Sequence, residues 1–198
     1  MNQIFENNSI ICSFCQICFN KNFQKRRRDA ICYYNSRGAL FTQVISKICL
    51  VCKAEHFLSY AELNTVRKPL NNILCSEYIS FTTETVFEIL LLKRFTAELL
   101  FNNATFVGFS NAYNYLFGCK IEYIDSKSRV VMNEKRFTET WFYFHYINIY
   151  KEIYGSLNNF KMPFISDLDT YLKELKPSLL THFVKKWTSK TSSLKTVP

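Results

Sequence analysis

The chain has 198 residues, of which 48% are hydrophobic and 21% charged; it can bury a core and is not a disordered tail. Four glycines and four prolines exclude collagen-like, Gly/Ser-linker and Pro-rich classes. The formal charge is +9, with +6 in residues 1–70 and +4 in residues 161–198, so a near-neutral centre lies between basic ends that suit a polyanionic partner.

Residues 1–68 hold six of the eight cysteines: Cys12, Cys15, Cys18, Cys32, Cys49 and Cys52. The start, MNQIFENNSIICSFC, lacks both a basic stretch and a sustained apolar run, which speaks against a secretory signal. The cysteines therefore read as reduced thiols and metal ligands rather than disulfides. Lys25, Arg26, Arg27 and Arg28 are expected in a loop. The runs 30–34 and 39–45, joined by Asn35-Ser36-Arg37-Gly38, predict a β-hairpin whose second strand leads into Cys49.

Residues 69–187 are expected to form a mainly helical body. A short strand is placed at 79–81. Thr85-Val86-Phe87-Glu88 matches a capping box, which predicts a buried helix over about 83–101. Phe106, Phe109, Tyr113 and Phe117 recur at helical spacing and place a second helix ending near Gly118. Residues 120–131 read as a polar connection or hairpin. Asn133 caps a third helix carrying Phe137, Trp141, Phe144 and Ile147 on one stripe, and Ser166 with Asp169 opens a last helix broken at Pro177. Residues 188–198 hold no acids and read as a disordered basic tail. The expected class is α+β: a zinc-ribbon-like hairpin module followed by a body of about four helices.

Cys12-x-x-Cys15 and Cys49-x-x-Cys52 carry the sharpest chemistry. Two residues between cysteines let both sulfurs approach one ion from a tight turn, and two such turns make the tetrahedral thiolate set that Zn²⁺ takes at about 2.3 Å per sulfur. The 33 residues between the pairs leave room for the hairpin. Cys15-x-x-Cys18 is an equally good knuckle by spacing, His56 can replace a cysteine, and Cys32 can belong to a second site. Cys75 and Cys119 read as lone core thiols. Lys25, Arg26, Arg27 and Arg28, with Arg37 on the turn, are the candidate nucleic-acid contacts; such a basic run is equally a solvated loop or a nuclear-import-like patch. Trp141, Phe142, Tyr143 and Phe144 read as core rather than as a stacking platform.

Enzyme signatures are missing. The glycines at 38, 108, 118 and 155 make no phosphate-cradling loop, the three histidines are scattered, and no GxSxG elbow occurs. With four aspartates, a two-metal carboxylate site lacks its ligands. No run approaches the roughly 20 apolar residues of a bilayer span, since the most apolar stretch, 86–92, contains Glu88 and is followed by Lys93 and Arg94.

The order of these features resembles the cysteine-cluster domains found with Kyakuja–Dileera–Zisupton (KDZ) transposases of eukaryotic mobile elements. The likeness covers about residues 11–146. It runs through Cys12-Ser-Phe-Cys15-Gln16, the 33–38 turn, Lys47-Ile-Cys49-Leu-Val-Cys52 with His56-Phe57 and Tyr60, and Thr85-Val-Phe-Glu88 before Leu91-Leu92-Lys93-Arg94. It ends with Thr105-Phe106, Tyr113-Asn114 and Asn133-Glu-Lys-Arg136 ahead of Trp141-Phe142. The resemblance implies a transposon-derived zinc module with Cys12, Cys15, Cys49 and Cys52 as ligands, contacting DNA or chromatin; the chain departs from the full element in lacking any catalytic domain. The expectation is thus a non-catalytic, intracellular and nuclear zinc-binding module that contacts nucleic acid or chromatin. The alternative is a protein-interaction adaptor with a structural zinc site, docking its partner through the helical body.

Overall fold

The computed structural model describes residues 3–19, 23–70, 73–118, 131–157 and 160–163, with scattered positions between 170 and 185. Its backbone is a long antiparallel hairpin, β2 (Phe23–Tyr34) and β3 (Gly38–Cys49), paired without a slip from Phe23↔Cys49 to Tyr34↔Gly38. β-Branched and aromatic residues such as Ile31, Tyr33, Val44 and Ile45 fit a pleated, half-buried surface. The turn needs a glycine on two counts: Gly38 has φ +83°, and a Cβ there would lie 2.8 Å from Cβ of Phe117. The Glu88 carboxylate accepts the Asn35 N–H at 2.6 Å and holds the turn against the rest of the sheet.

Six short strands complete an eight-stranded mixed sheet. Along β3 run β1 (Ile4–Glu6), in parallel, and β4 (Glu55–His56), followed outward by β5 (Tyr60–Leu63) and β6 (Val66–Pro69). On the other side, β8 (Thr85–Glu88) runs parallel to the end of β2 through Ile31↔Thr85 to Tyr33↔Phe87, and β7 (Tyr78–Ile79) pairs with β8. Among the described residues the helices α1 (Ile89–Asn102), α2 (Phe106–Phe117) and α3 (Glu134–Tyr154) follow, with further helical positions between 170 and 185.

This corrects the expected fold class. The molecule is not a ribbon joined to a chiefly helical body, because strands from the half expected to be helical belong to the same sheet as the hairpin. Thr85-Val-Phe-Glu88 is a strand and not a capping box. Val86 and Phe87 are fully buried on opposite faces, and α1 begins only after Glu88, whose side chain makes no cap bond. The Lys25–Arg28 segment is likewise strand rather than loop. The third helix starts as expected, Asn133 accepting the Arg136 N–H at 3.0 Å, and the second is capped by Thr105, which accepts the Gly108 N–H and is not among the expected caps. The 120–131 connection lies largely outside the described residues, as do the Ser166/Asp169 helix start, the 188–198 tail and Cys119.

The two faces of β2 enter different cores. On one, Tyr33 stacks on Phe87 at 5.0 Å and joins the main cluster with the helices. On the other, Ala30, Cys32 and Tyr34 pack with Phe5, Val44 and Val86. The main cluster centres on aromatic rings: Phe137 stacks on Phe109 at 5.3 Å and meets Phe87, Phe95 and Phe106. Trp141 leans on Phe95 and donates its indole N–H to Thr96 Oγ1 at 2.9 Å, while Tyr143 and Phe144 are buried, so this stripe is core. Truncating Phe137 to Ala removes the ring that joins α1, α2 and α3 to the sheet. It is expected to lower stability by about 3–5 kcal/mol, read as a shift in a urea unfolding curve.

Candidate metal centre

The hairpin ends where the cysteines meet. β3 delivers Cys49 at its last residue, and the chain turns through Leu50 and Val51 to Cys52. The first pair, Cys12 and Cys15, reaches the same point from a turn closed by the bridge Ile11↔Cys18. The two turns have one hydrogen-bond pattern. In the first, the Cys12 N–H donates to the Ile17 carbonyl at 2.9 Å and the Gln16 N–H to the Cys12 carbonyl at 3.0 Å. In the second, the Cys49 N–H donates to Ala54 and the Lys53 N–H to Cys49, both at 2.9 Å. The residue after each second cysteine is left-handed, Gln16 at φ +60° and Lys53 at φ +66°. Neither is glycine, so each turn carries a conformation that costs about 1–2 kcal/mol. Two unrelated stretches of sequence thus adopt one strained turn on either side of the same point.

The four sulfurs lie within 4.8 Å of one another. Cys12 and Cys52 are 3.4 Å apart and Cys15 and Cys49 are 3.6 Å apart. A tetrahedron with 2.3 Å metal–sulfur bonds has edges of about 3.8 Å, whereas a disulfide brings sulfurs to about 2.05 Å. The separations fit four ligands of one ion. Backbone amides point at the sulfurs in the same pairwise manner: those of Phe14 and Cys15 at Cys12, and those of Val51 and Cys52 at Cys49. Phe19, Phe23, Ala54 and Leu63 pack around the group.

Burial and these amides pull in opposite directions. Burial pushes the Cys12 thiol up to about 12, against the amides of Cys15 and Phe14. At Cys49 burial also raises, but the amides of Cys52 and Val51 and the thiols of Cys15 and Cys52 outweigh it and bring the group down to about 7. Four thiols this close cannot all ionise on their own, and a divalent cation supplies the charge that lets them.

Of the residues considered alongside these four, Cys18 is exposed and outside the group, and Cys32 is buried in the smaller core with no second cysteine cluster among the described residues. His56 is fully buried with Nε2 3.3 Å from the Cys12 sulfur, its ring edge-on to Phe19 at 4.9 Å. Burial, helped by Lys47, pulls the imidazole down to about 4, so it is neutral, and its Nε2 shares a hydrogen bond with the Cys12 sulfur. Its place four residues after Cys52 marks it as part of the site; that it supports a ligand is visible only once β4 sets it beside β3.

The structure does not gather the five candidate nucleic-acid residues into one patch. Lys25 Nζ lies 2.7 Å from Glu6, and Glu55 takes Arg28 at 2.6 Å and Arg26 at 3.4 Å. Burial alone would raise the Glu55 carboxyl; hydrogen bonds from Arg28 and Ser46, with the two arginine charges, hold it below the ordinary carboxylate value. Arg27 is exposed and has no acidic partner among the described residues. Arg37 sits at the turn, its guanidinium 3.8 Å from the Tyr34 ring centre and about 20 Å of strand away from Arg28.

Comparison of the chain with known protein families, curated proteins and solved structures finds no match. Among the described residues no helix is long and apolar enough to cross a membrane.

Serine at Cys12, Cys15, Cys49 or Cys52 is expected to abolish stoichiometric metal binding, while Cys18→Ser retains it. Elemental analysis of the purified variants checks this; loss of metal from Cys18→Ser equal to that from Cys15→Ser would assign the ligands differently.

Proposed function

We propose that this chain is a non-catalytic zinc-binding module whose metal fixes the base of a basic β-hairpin for contact with a partner. The observation that carries the reading is the pair of equivalent turns around four converging sulfurs. A tetrahedral all-sulfur set suits zinc, which has no geometric preference of its own to satisfy. Four protein ligands leave no open coordination position for substrate or water, which makes the centre structural. The amide donors and the buried His56 stabilise the thiolate charge without adding a reactive group.

Two kinds of partner suit the hairpin. A nucleic acid, as the KDZ resemblance implies, is favoured by the net charge of +9 and by the exposed Arg27. A protein partner, with the zinc purely architectural, is favoured by the ion pairs: three of the five candidate contacts are already held by Glu6 and Glu55, and phosphates would have to displace both. We place the protein partner first. Labelled single-stranded and duplex oligonucleotides are then expected to bind the full chain more weakly than about 10 μM at physiological salt, in the range of non-specific binding. Submicromolar binding, with a salt slope that flattens in the Arg26, Arg27 and Arg28 triple alanine variant, would put nucleic acid first instead.

A further inference from the structure

We propose that the open edge of β2 from Phe23 to Asp29 is a strand-addition site for an acidic, extended segment of a partner protein. This rests on the protein-partner reading above and names the partner's chemistry. β2 is paired with β3 along all its length, but with β8 only at Ile31 to Tyr33. Among the described residues no strand covers the rest of that edge.

The strand's alternation says which groups face outward. The Ile31 N–H donates across the β8 side to Glu84, while the Arg26 carbonyl faces β3 and receives the Ser46 hydroxyl. Odd residues therefore turn their backbone to the β8 side, so the N–H and C=O groups of Lys25, Arg27 and Asp29 point to the open edge. A row of such groups is a template for another strand.

Charge selects which strand. Lys25 and Arg27 project from one face of this edge, and Arg26 and Arg28 from the other. A second copy of the same edge would set like charges opposite one another, which closes the edge to self-pairing. An acidic strand meets Arg27 on one face, which has no acidic partner among the described residues, and on the other Arg26 and Arg28, whose two charges share the single carboxylate of Glu55. The side chains already take carboxylates there, from Glu6 on the first face and from Glu55 on the second, and one Glu55 serves two arginines. Nucleic acid uses the side chains but leaves the row of backbone groups unpaired, which is why the geometry favours a polypeptide.

Arg27 gives the decisive variants. Its N–H faces the open edge and not β3, so Arg27→Pro removes an edge donor while sparing the hairpin ladder, and Arg27→Ala removes the same charge but keeps the donor. The probe is a capped ten-residue peptide of alternating glutamate and valine, titrated calorimetrically into the full chain. Arg27→Pro is expected to weaken binding at least tenfold relative to Arg27→Ala. On the unaltered protein, the peptide N-methylated at every second residue is expected to lose at least tenfold in one frame and to bind nearly normally in the other, because only alternate N–H groups face β2. Equal binding by the two variants, equal effects of the two frames, or no binding by the peptide overturns the proposal. So does a ten-nucleotide single strand that binds more tightly than the peptide and is indifferent to proline at 27. Zinc content is measured on the same samples: peptide failure with zinc present sinks strand addition alone, and absence of zinc sinks the module reading whatever the peptide does.

Discussion

Everything at the hairpin end depends on four sulfurs being held closer together than their own charges allow. Cys12 and Cys49 are fully buried, and two turns in left-handed conformations bring their partners Cys15 and Cys52 alongside. Without a cation the arrangement combines buried thiols, strained turns and mutual repulsion once protons leave. With one, the same features become a closed coordination shell, and metal binding is folding free energy, on the order of 10–16 kcal/mol in small zinc domains. An ion held there closes a loop that contains the whole hairpin, and would tie the N-terminal segment to the end of β3.

That tie positions the basic strand. β2 starts beside the cysteines at Phe23, which faces Cys49, and enters the aromatic core at Tyr33. Its charged half lies between two fixed points, the four-cysteine cluster at one end and stacked rings at the other. Glu6 and Glu55 hold its side chains in place, and both acids come from short strands, β1 and β4, that lean on β3 near the sulfurs. The exposed pair of Lys25 with Glu6 contributes little stability by itself, while the Arg28–Glu55 pair is partly buried. Their effect is to keep long basic side chains extended along both faces of the strand.

The legible parts of this molecule were those decided locally. Two CxxC spacings dictate tight turns, Asn35 to Gly38 dictates a reversal, and Asn133 caps its helix wherever the helix packs. The unread parts were decided at a distance. Thr85-Val-Phe-Glu88 fits a capping box by pattern, but Val86 and Phe87 find fully buried sites on either face of a sheet, and that burial outweighs a cap. Strands β4 and β7 are two residues long, too short for any periodicity to show. Lys25 to Arg28 looks like a solvated run because nothing in the sequence says that Glu6 and Glu55 will stand beside it. The convergence of the sulfurs was readable; the supporting histidine was recognisable as a neighbour, but its role came from the pairing of β4 with β3.

X-ray absorption at the zinc edge on the purified chain tests the central claim most directly. The account predicts one zinc per chain with four sulfur neighbours at about 2.3 Å and no nitrogen or oxygen in the shell. A mixed shell with oxygen or histidine nitrogen, or a chain that carries no zinc, would contradict it.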